Sequence, residues 1–321
     1  MNYTPLKLRP CYKEYLWGGA RLKREYGKGD APEITAESWE LSCHPDGVSL
    51  VQNGSCAGKG IDAFTGEERL RVWGSDCNED EFPILVKLID AEKNLSIQVH
   101  PSDETADRAS GERGKAEMWY VVDCEPQAFL YYGFSRRIDA DELLQRANDG
   151  TICDVLNKVP VSRGDVFYIL PGTIHAIGAG IVIAEIQQNS NTTFRVYDYR
   201  RRGADGKLRP LHLERAAAVL DYQPILPQEC RINSGVSFPE FSMTEMFSCK
   251  YFRSFRIDVH HSARLRCDGR SFHHLLCVEG SGTICVNDRV YPIQTGDSYL
   301  MPAALGEYKI EGACRVLLSR V

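Results

Sequence analysis

Short apolar runs broken by Gly, Pro and Asp dominate the chain. FPILVKLIDA (82–91) is almost continuously apolar, interrupted by Lys87. EMWYVVD (117–123), AFLYYGF (128–134), DVFYILPG (165–172) and IVIAEIQQ (181–188) follow, each short enough for one strand. FRSFRIDVH (252–260) alternates strictly, with Phe255, Ile257 and Val259 on one face and Arg256, Asp258 and His260 on the other. HHLLCVEGSGTICVN (273–287) reads as a hairpin around Gly280-Ser281-Gly282. Helical patterning is confined to three places. SDETADRAS (102–110) has Ser102 as N-cap with acids in its first turn. Residues 139–159 hold one or two helices interrupted at Gly150, and HLERAAAVLDY (212–222) is a short amphipathic helix.

RGDVFYILPGTIHAI (163–177) resembles TGDSYLMPAALGEYKI (295–310), since each has Gly-Asp, an apolar strand, Pro and a second strand. Two repeated all-β units with Gly-Asp turns predict two small jelly-roll barrels. QPILPQECRINSG (223–235) reads as the linker, which puts a boundary near residue 230. The expected domains are 1–230, carrying the chemistry together with N-terminal strands and a helical insertion, and 231–321.

The composition excludes several classes. Among 321 residues, 43% are hydrophobic and 26% charged, as in a soluble globular protein. A net charge of −6 disfavours nucleic acid and anionic membrane as partners. No apolar leader or membrane-length run is evident, so the expected location is the cytoplasm. The twelve cysteines form no CxxC pair and read as buried thiols, not a disulfide framework.

LSIQVHP (95–101) ends a strand with Gln98 and His100 projecting from one face. Glu117 starts the next strand, and His175 follows a Pro-Gly turn. Two imidazoles, a carboxylate and an amide oxygen at strand termini of one barrel suit a divalent metal. The set fits zinc with an open coordination position, and equally Fe(II). His260, His261, His273 and His274 come as adjacent pairs, which point to opposite faces, and no carboxylate completes a second set.

PILVKLIDAEKNLSIQVHPSDETA, GKAEMWYVVD, RGDVFYILPGTIHAIGAGIVIAEIQQNSNTTFRVYDY and YLWGGARL together resemble the type I mannose-6-phosphate isomerases, in their short bacterial form. The resemblance covers most of residues 5–222 and, more weakly, the rest. It implies a mainly β double cupin with a small helical portion; the second barrel, with no carboxylate to complete a histidine set, reads as a degenerate copy. It implies one zinc ion per chain, or another divalent metal, held by His100, Glu117 and His175, with Gln98 ligating or lying beside it. It implies a catalytic role for Arg195, whose alternative is a strand-surface ion pair with Asp198.

The implied reaction interconverts mannose 6-phosphate and fructose 6-phosphate through a cis-enediol, with a small sugar phosphate as the partner of a monomer or homodimer. Lys115 shares a strand face with Glu117, and Lys87 lies on the preceding strand, so both are candidates for substrate contact. The acid–base residue is not named by the sequence. Trp17 reads as core packing, and the RRRG run (200–203) as a solvated loop. The rival readings are an Fe(II)-dependent cupin oxygenase and a sugar-phosphate sensor that does not turn over.

Overall fold

Period-two alternation decides how the strands of the first half are used. The computed structural model describes residues 3–77, 81–203, 206–226, 236–237 and 239–321. It is mainly β, with antiparallel sheets. The chain divides into two compact units: Glu14–Gly19 with Ile89–Ile232, and Met1–Lys13 with Ala20–Leu88 and Asn233–Val321.

In the first of these units, strands β1 (Ile97–Val99), β2 (Glu117–Cys124), β3 (Phe129–Phe134), β4 (Leu156–Pro160), β5 (Val166–Ile169), β6 (His175–Ile177), β7 (Ile181–Gln188) and β8 (Phe194–Tyr197) form two sheets. One runs β8–β1–β6–β3–β4, and the other contains β5–β2–β7. Ile97, Val99, Ala176, Phe194 and Val196 alternate onto one face of the five-stranded sheet. Helices α1 (Ala140–Asp149) and α2 (Leu213–Val219) cover that face with Leu143, Ala147 and Ala216. Asp139 caps α1 by accepting the Glu142 N–H at 2.9 Å, and Gly150 ends it in the left-handed region, where the sequence expects the interruption.

The intervening positions fall on the opposite face. His175 pairs with Gln98, and Gln98 pairs with Arg195, so these three side chains form a row across β6, β1 and β8. Direct cross-strand partners share a face, so the row is a consequence of register.

The helix expected over 102–110 is absent. Ser102 is used in a turn, its N–H donating to Thr105 Oγ1 at 2.9 Å, and only the 3-10 turn Arg108–Ser110 follows. The stretch has no large apolar residue with which to bury a helical face, and short helices gain most of their stability from such packing.

In the other unit, the alternating segment lies in strand Arg253–Val259, with Phe255, Ile257 and Val259 buried. The hairpin expected at Gly280-Ser281-Gly282 is instead one continuous strand, His273–Val286, paired along its length with Gly306–Arg320. Gly280 faces Cys314, and a Cβ there would lie 2.2 Å from the Ala313 carbonyl oxygen. The glycine serves close backbone approach at a bulge. The actual turn follows at Asn287, with φ 51°. The N-terminal strand Leu6–Arg9, expected with residues 1–230, pairs with Ser298–Met301 in this unit, burying Leu6 and Leu8. The expected boundary at residue 230 lies outside the described residues.

The internal repeat has a physical basis. At 162–165 the Asp165 N–H donates to Ser162 O at 3.0 Å, and its carboxylate accepts the Ser162 N–H at 2.9 Å. At 294–297 Asp297 makes the same pair of bonds with Gln294, at 2.8 and 3.1 Å. Gly164 and Gly296 take φ of 90° and 87°, open to glycine at little cost. No helix among the described residues is long and apolar enough to cross a membrane.

His273 and His274 are buried, bonding Tyr308 Oη and Ser298 Oγ, each at 2.8 Å. Burial, reinforced by Arg320, lowers the pKa of His273 to about 4; burial, reinforced by Lys28, lowers that of His274 to about 3. An unfolded imidazole takes up its proton near pH 6.5, before the folded one does. The stability these residues contribute is therefore whole above about pH 6.5 and is lost as pH falls toward 4 and 3. Melting temperature should fall across this range, and more gently in His274→Gln than in the wild type. Parallel curves for the two proteins would contradict the assignment.

Candidate metal centre

Among the described residues, His100, Glu117 and His175 form a buried group whose ligand atoms all lie within 4.8 Å of one another. His100 directly follows β1 and His175 opens β6, both in the five-stranded sheet, while Glu117 opens β2 in the other. Glu117 Oε1 lies 3.5 Å from His100 Nε2 and 3.3 Å from His175 Nε2. Ligands about 2.0–2.1 Å from a tetrahedral centre lie about 3.3 Å apart, which these spacings match.

The imidazoles are pre-oriented. His100 Nδ1 is 2.8 Å from Thr192 O, and His175 Nδ1 is 2.9 Å from Thr173 O. A carbonyl oxygen only accepts, so both rings carry their proton on Nδ1 and turn an Nε2 lone pair toward Glu117. The edge of Trp119 packs on His175, with centroids 5.4 Å apart. Burial, and then the Lys115 ammonium, lowers the pKa of His100 to about 4, and burial lowers that of His175. Both are neutral donors at neutral pH.

Glu117 is fully buried, yet neither carboxylate oxygen has a hydrogen-bond partner. Burial alone would raise its pKa, but the Lys115 ammonium outweighs this and holds it well below the usual carboxylate range. Lys115 Nζ lies 2.9 Å from Glu117 Oε2, an ion pair without hydrogen-bond alignment, and 3.3 Å from His100 Nε2. A buried ionised carboxylate with unused lone pairs, facing two imidazole lone pairs, fits a divalent cation.

Gln98 presents its amide to the same point, with its nitrogen 3.4 Å from His175 Nε2. Arg195 lies next in the row and does not make the ion pair with Asp198 that is the alternative to its catalytic reading. Its Nη1 donates to Pro210 O at 2.8 Å, while Asp198 takes Arg201 and Arg209. The Arg200–Arg202 run binds backbone carbonyls of Asn148, Asn94 and Gly206 as well as Asp198. Trp17 is buried, as expected, and stacks on Tyr15. Lys87 belongs to the other unit, where its Nζ is 3.5 Å from Glu37 and 5.2 Å from the Trp39 ring centroid.

Sequence reasoning passed over Glu185, whose Oε2 accepts the Trp119 indole N–H at 3.0 Å and whose Oε1 lies 3.9 Å from Lys115. Its signal was a lone acid inside the apolar run IVIAEIQQ. The carbonyls of Thr173 and Thr192 carry no side-chain signal at all.

An antiparallel barrel with two imidazoles and a carboxylate converging inside it defines a cupin-type metal protein. Residues 6–126 match the phosphomannose isomerase type I catalytic domain, and residues 242–321 the mannose-6-phosphate isomerase cupin domain. Mannose-6-phosphate isomerase ManA of Bacillus subtilis is 37% identical over 322 residues, covering all of both chains. The solved structure of the mannose 6-phosphate isomerase from Bacillus subtilis superposes with a TM-score of 0.91 at 33% identity, over 99% of this chain and 100% of that one. A mannose 6-phosphate isomerase solved with zinc and yttrium shares the fold at TM-score 0.77 and 18% identity, over 99% of each chain. The chain belongs to the type I phosphomannose isomerase family.

His100→Ala should lose bound metal, read as metal content of the purified protein; full retention would rule out this site. Lys115→Met leaves the Glu117 charge buried without its ammonium partner. It should destabilise the metal-free protein by about 3–5 kcal/mol, seen in denaturant unfolding.

Proposed function

We propose that the chain is a metal-dependent aldose–ketose isomerase that interconverts mannose 6-phosphate and fructose 6-phosphate. The observation that carries this reading is the buried His100–Glu117–His175 group with its unsatisfied carboxylate, in a chain aligned end to end with a mannose-6-phosphate isomerase. His100, Glu117 and His175 would hold the ion, with the Gln98 amide as a fourth donor. Zinc is the ion we favour, one per chain, because nitrogen and oxygen donors at tetrahedral spacing suit it and a solved protein of this fold contains it. When bound, such an ion supplies a Lewis acid that polarises a carbonyl oxygen.

The chain's own residues supply the rest. Isomerisation moves a proton between C2 and C1 of the open-chain sugar through a cis-enediol, and negative charge grows on the oxygens as the proton leaves. Arg195 sits in one row with Gln98 and His175. We assign it the fixed positive charge that meets this developing charge, an electrostatic effect that needs no reorganisation during reaction. Lys115, held by Glu117 beside His100, is assigned to substrate contact next to the ion. Lys87, kept in place by Glu37 and Trp39, is assigned a second contact to the anionic sugar phosphate. The described cysteines are all free thiols, which suits the reducing cytoplasm, where sugar phosphates are found.

The deciding experiment is a coupled assay for fructose 6-phosphate formed from mannose 6-phosphate, before and after chelation and zinc add-back. Turnover should vanish with the metal and return with zinc. Metal-loaded, folded protein without turnover would favour a sensor. Arg195→Ala should keep its metal and lose about 10²–10³-fold in kcat.

A further inference from the structure

Strand β8, which carries Arg195, is the outermost strand of its sheet and, among the described residues, pairs with β1 alone. An edge strand leaves backbone groups open on its outer side. At Arg195 these groups are taken up by residues 210–212. The Arg195 N–H donates to His212 Nδ1 at 3.0 Å, and the His212 N–H donates to Arg195 O at 2.8 Å. The guanidinium is held by the same stretch, through Nη1 to Pro210 O. The His212 carbonyl then accepts the Ala216 N–H at 2.8 Å, which fixes the stretch to the first turn of α2.

A neighbouring strand would offer a carbonyl oxygen to the Arg195 N–H; here an imidazole nitrogen takes that place. Because an N–H only donates, His212 Nδ1 carries a lone pair and its proton is on Nε2. The surroundings favour this neutral form. Burial lowers the pKa of His212, and the guanidiniums of Arg195 and Arg215 add to the effect, against the opposing charge of Glu112. Arg215 lies on α2 and pairs with Glu112 in the loop between His100 and Lys115.

We propose that His212 is a positioning residue for Arg195, its imidazole standing in for a strand partner and fixing where the guanidinium lies along the row with Gln98 and His175. The inference rests on the catalytic role assigned to Arg195 above. His212 does not touch the row itself; it acts through the backbone of Arg195. Displacing a charged catalytic group by about 1 Å costs about 10²-fold in rate, so a strap of this kind has a kinetic signature.

The test uses metal-loaded protein and mannose 6-phosphate, with kcat, KM and metal content measured for four chains. His212→Leu removes the acceptor. It should lose about 10–100-fold in kcat, with metal content unchanged and KM within about threefold. His212→Asn places Oδ1 where Nδ1 was, since both atoms are two bonds from Cβ. It should bring kcat back to within about threefold of wild type. Full kcat in His212→Leu, or an Asn variant as slow as the Leu variant, would overturn the proposal. Should His212→Leu fail to fold, the kcat of His212→Asn against His212→Ala decides in the same way. Arg195→Ala separates the two levels of argument. If it is fully active, the catalytic reading of Arg195 fails; if it is inactive while His212→Leu turns over normally, only the positioning role fails.

Discussion

A carboxylate with no hydrogen bonds, sealed inside a barrel, is the constraint around which this structure is organised. Burying an ionised Glu117 is costly unless compensating charge lies close by. The Lys115 ammonium at 2.9 Å supplies it within the protein, and two imidazole lone pairs make the same position attractive to a cation. Each neighbour is in turn fixed from behind: the imidazoles by the Thr173 and Thr192 carbonyls, and the lysine by Glu117, with Glu185 within 3.9 Å. The imidazoles are therefore pre-oriented by carbonyls that do no chemistry themselves.

The five-stranded sheet makes this arrangement affordable. One set of alternate residues packs under α1 and α2, and the intervening positions are left to carry polar side chains inward. A one-residue slip of β1 would send Gln98 into the apolar layer and Ile97 or Val99 toward the site. Register is thus defended by the whole buried layer, and the placing of His175, Gln98 and Arg195 in one row follows from it without any contact of its own.

Much of this was legible in the sequence, because strand alternation and turn chemistry are local. The apolar runs became strands, and His100, Glu117 and His175 at strand termini met as the pattern required. What failed depended on long-range pairing. Residues 102–110 have helix-capping chemistry but no apolar face for the rest of the chain to pack against. Gly280 and Gly282 looked like a turn because the strand that crowds them lies about thirty residues away, at 312–314. The pairing of Leu6 with Leu300 joins opposite ends of the chain and leaves no local trace. Likewise nothing near Arg195 in sequence announces its partners, which sit at 210 and 212.

The two Gly-Asp turns carry a wider consequence. Ser162–Asp165 and Gln294–Asp297 close with the same pair of bonds, although a histidine follows at 175 in one copy and none stands at the matching place in the other. The corner is thus conserved by geometry alone, independent of the donor atoms that one copy hangs beside it. Architecture and chemistry are separable in this fold: the turn closes through glycine, aspartate and backbone alone, and the histidine that follows one copy is no part of the closure.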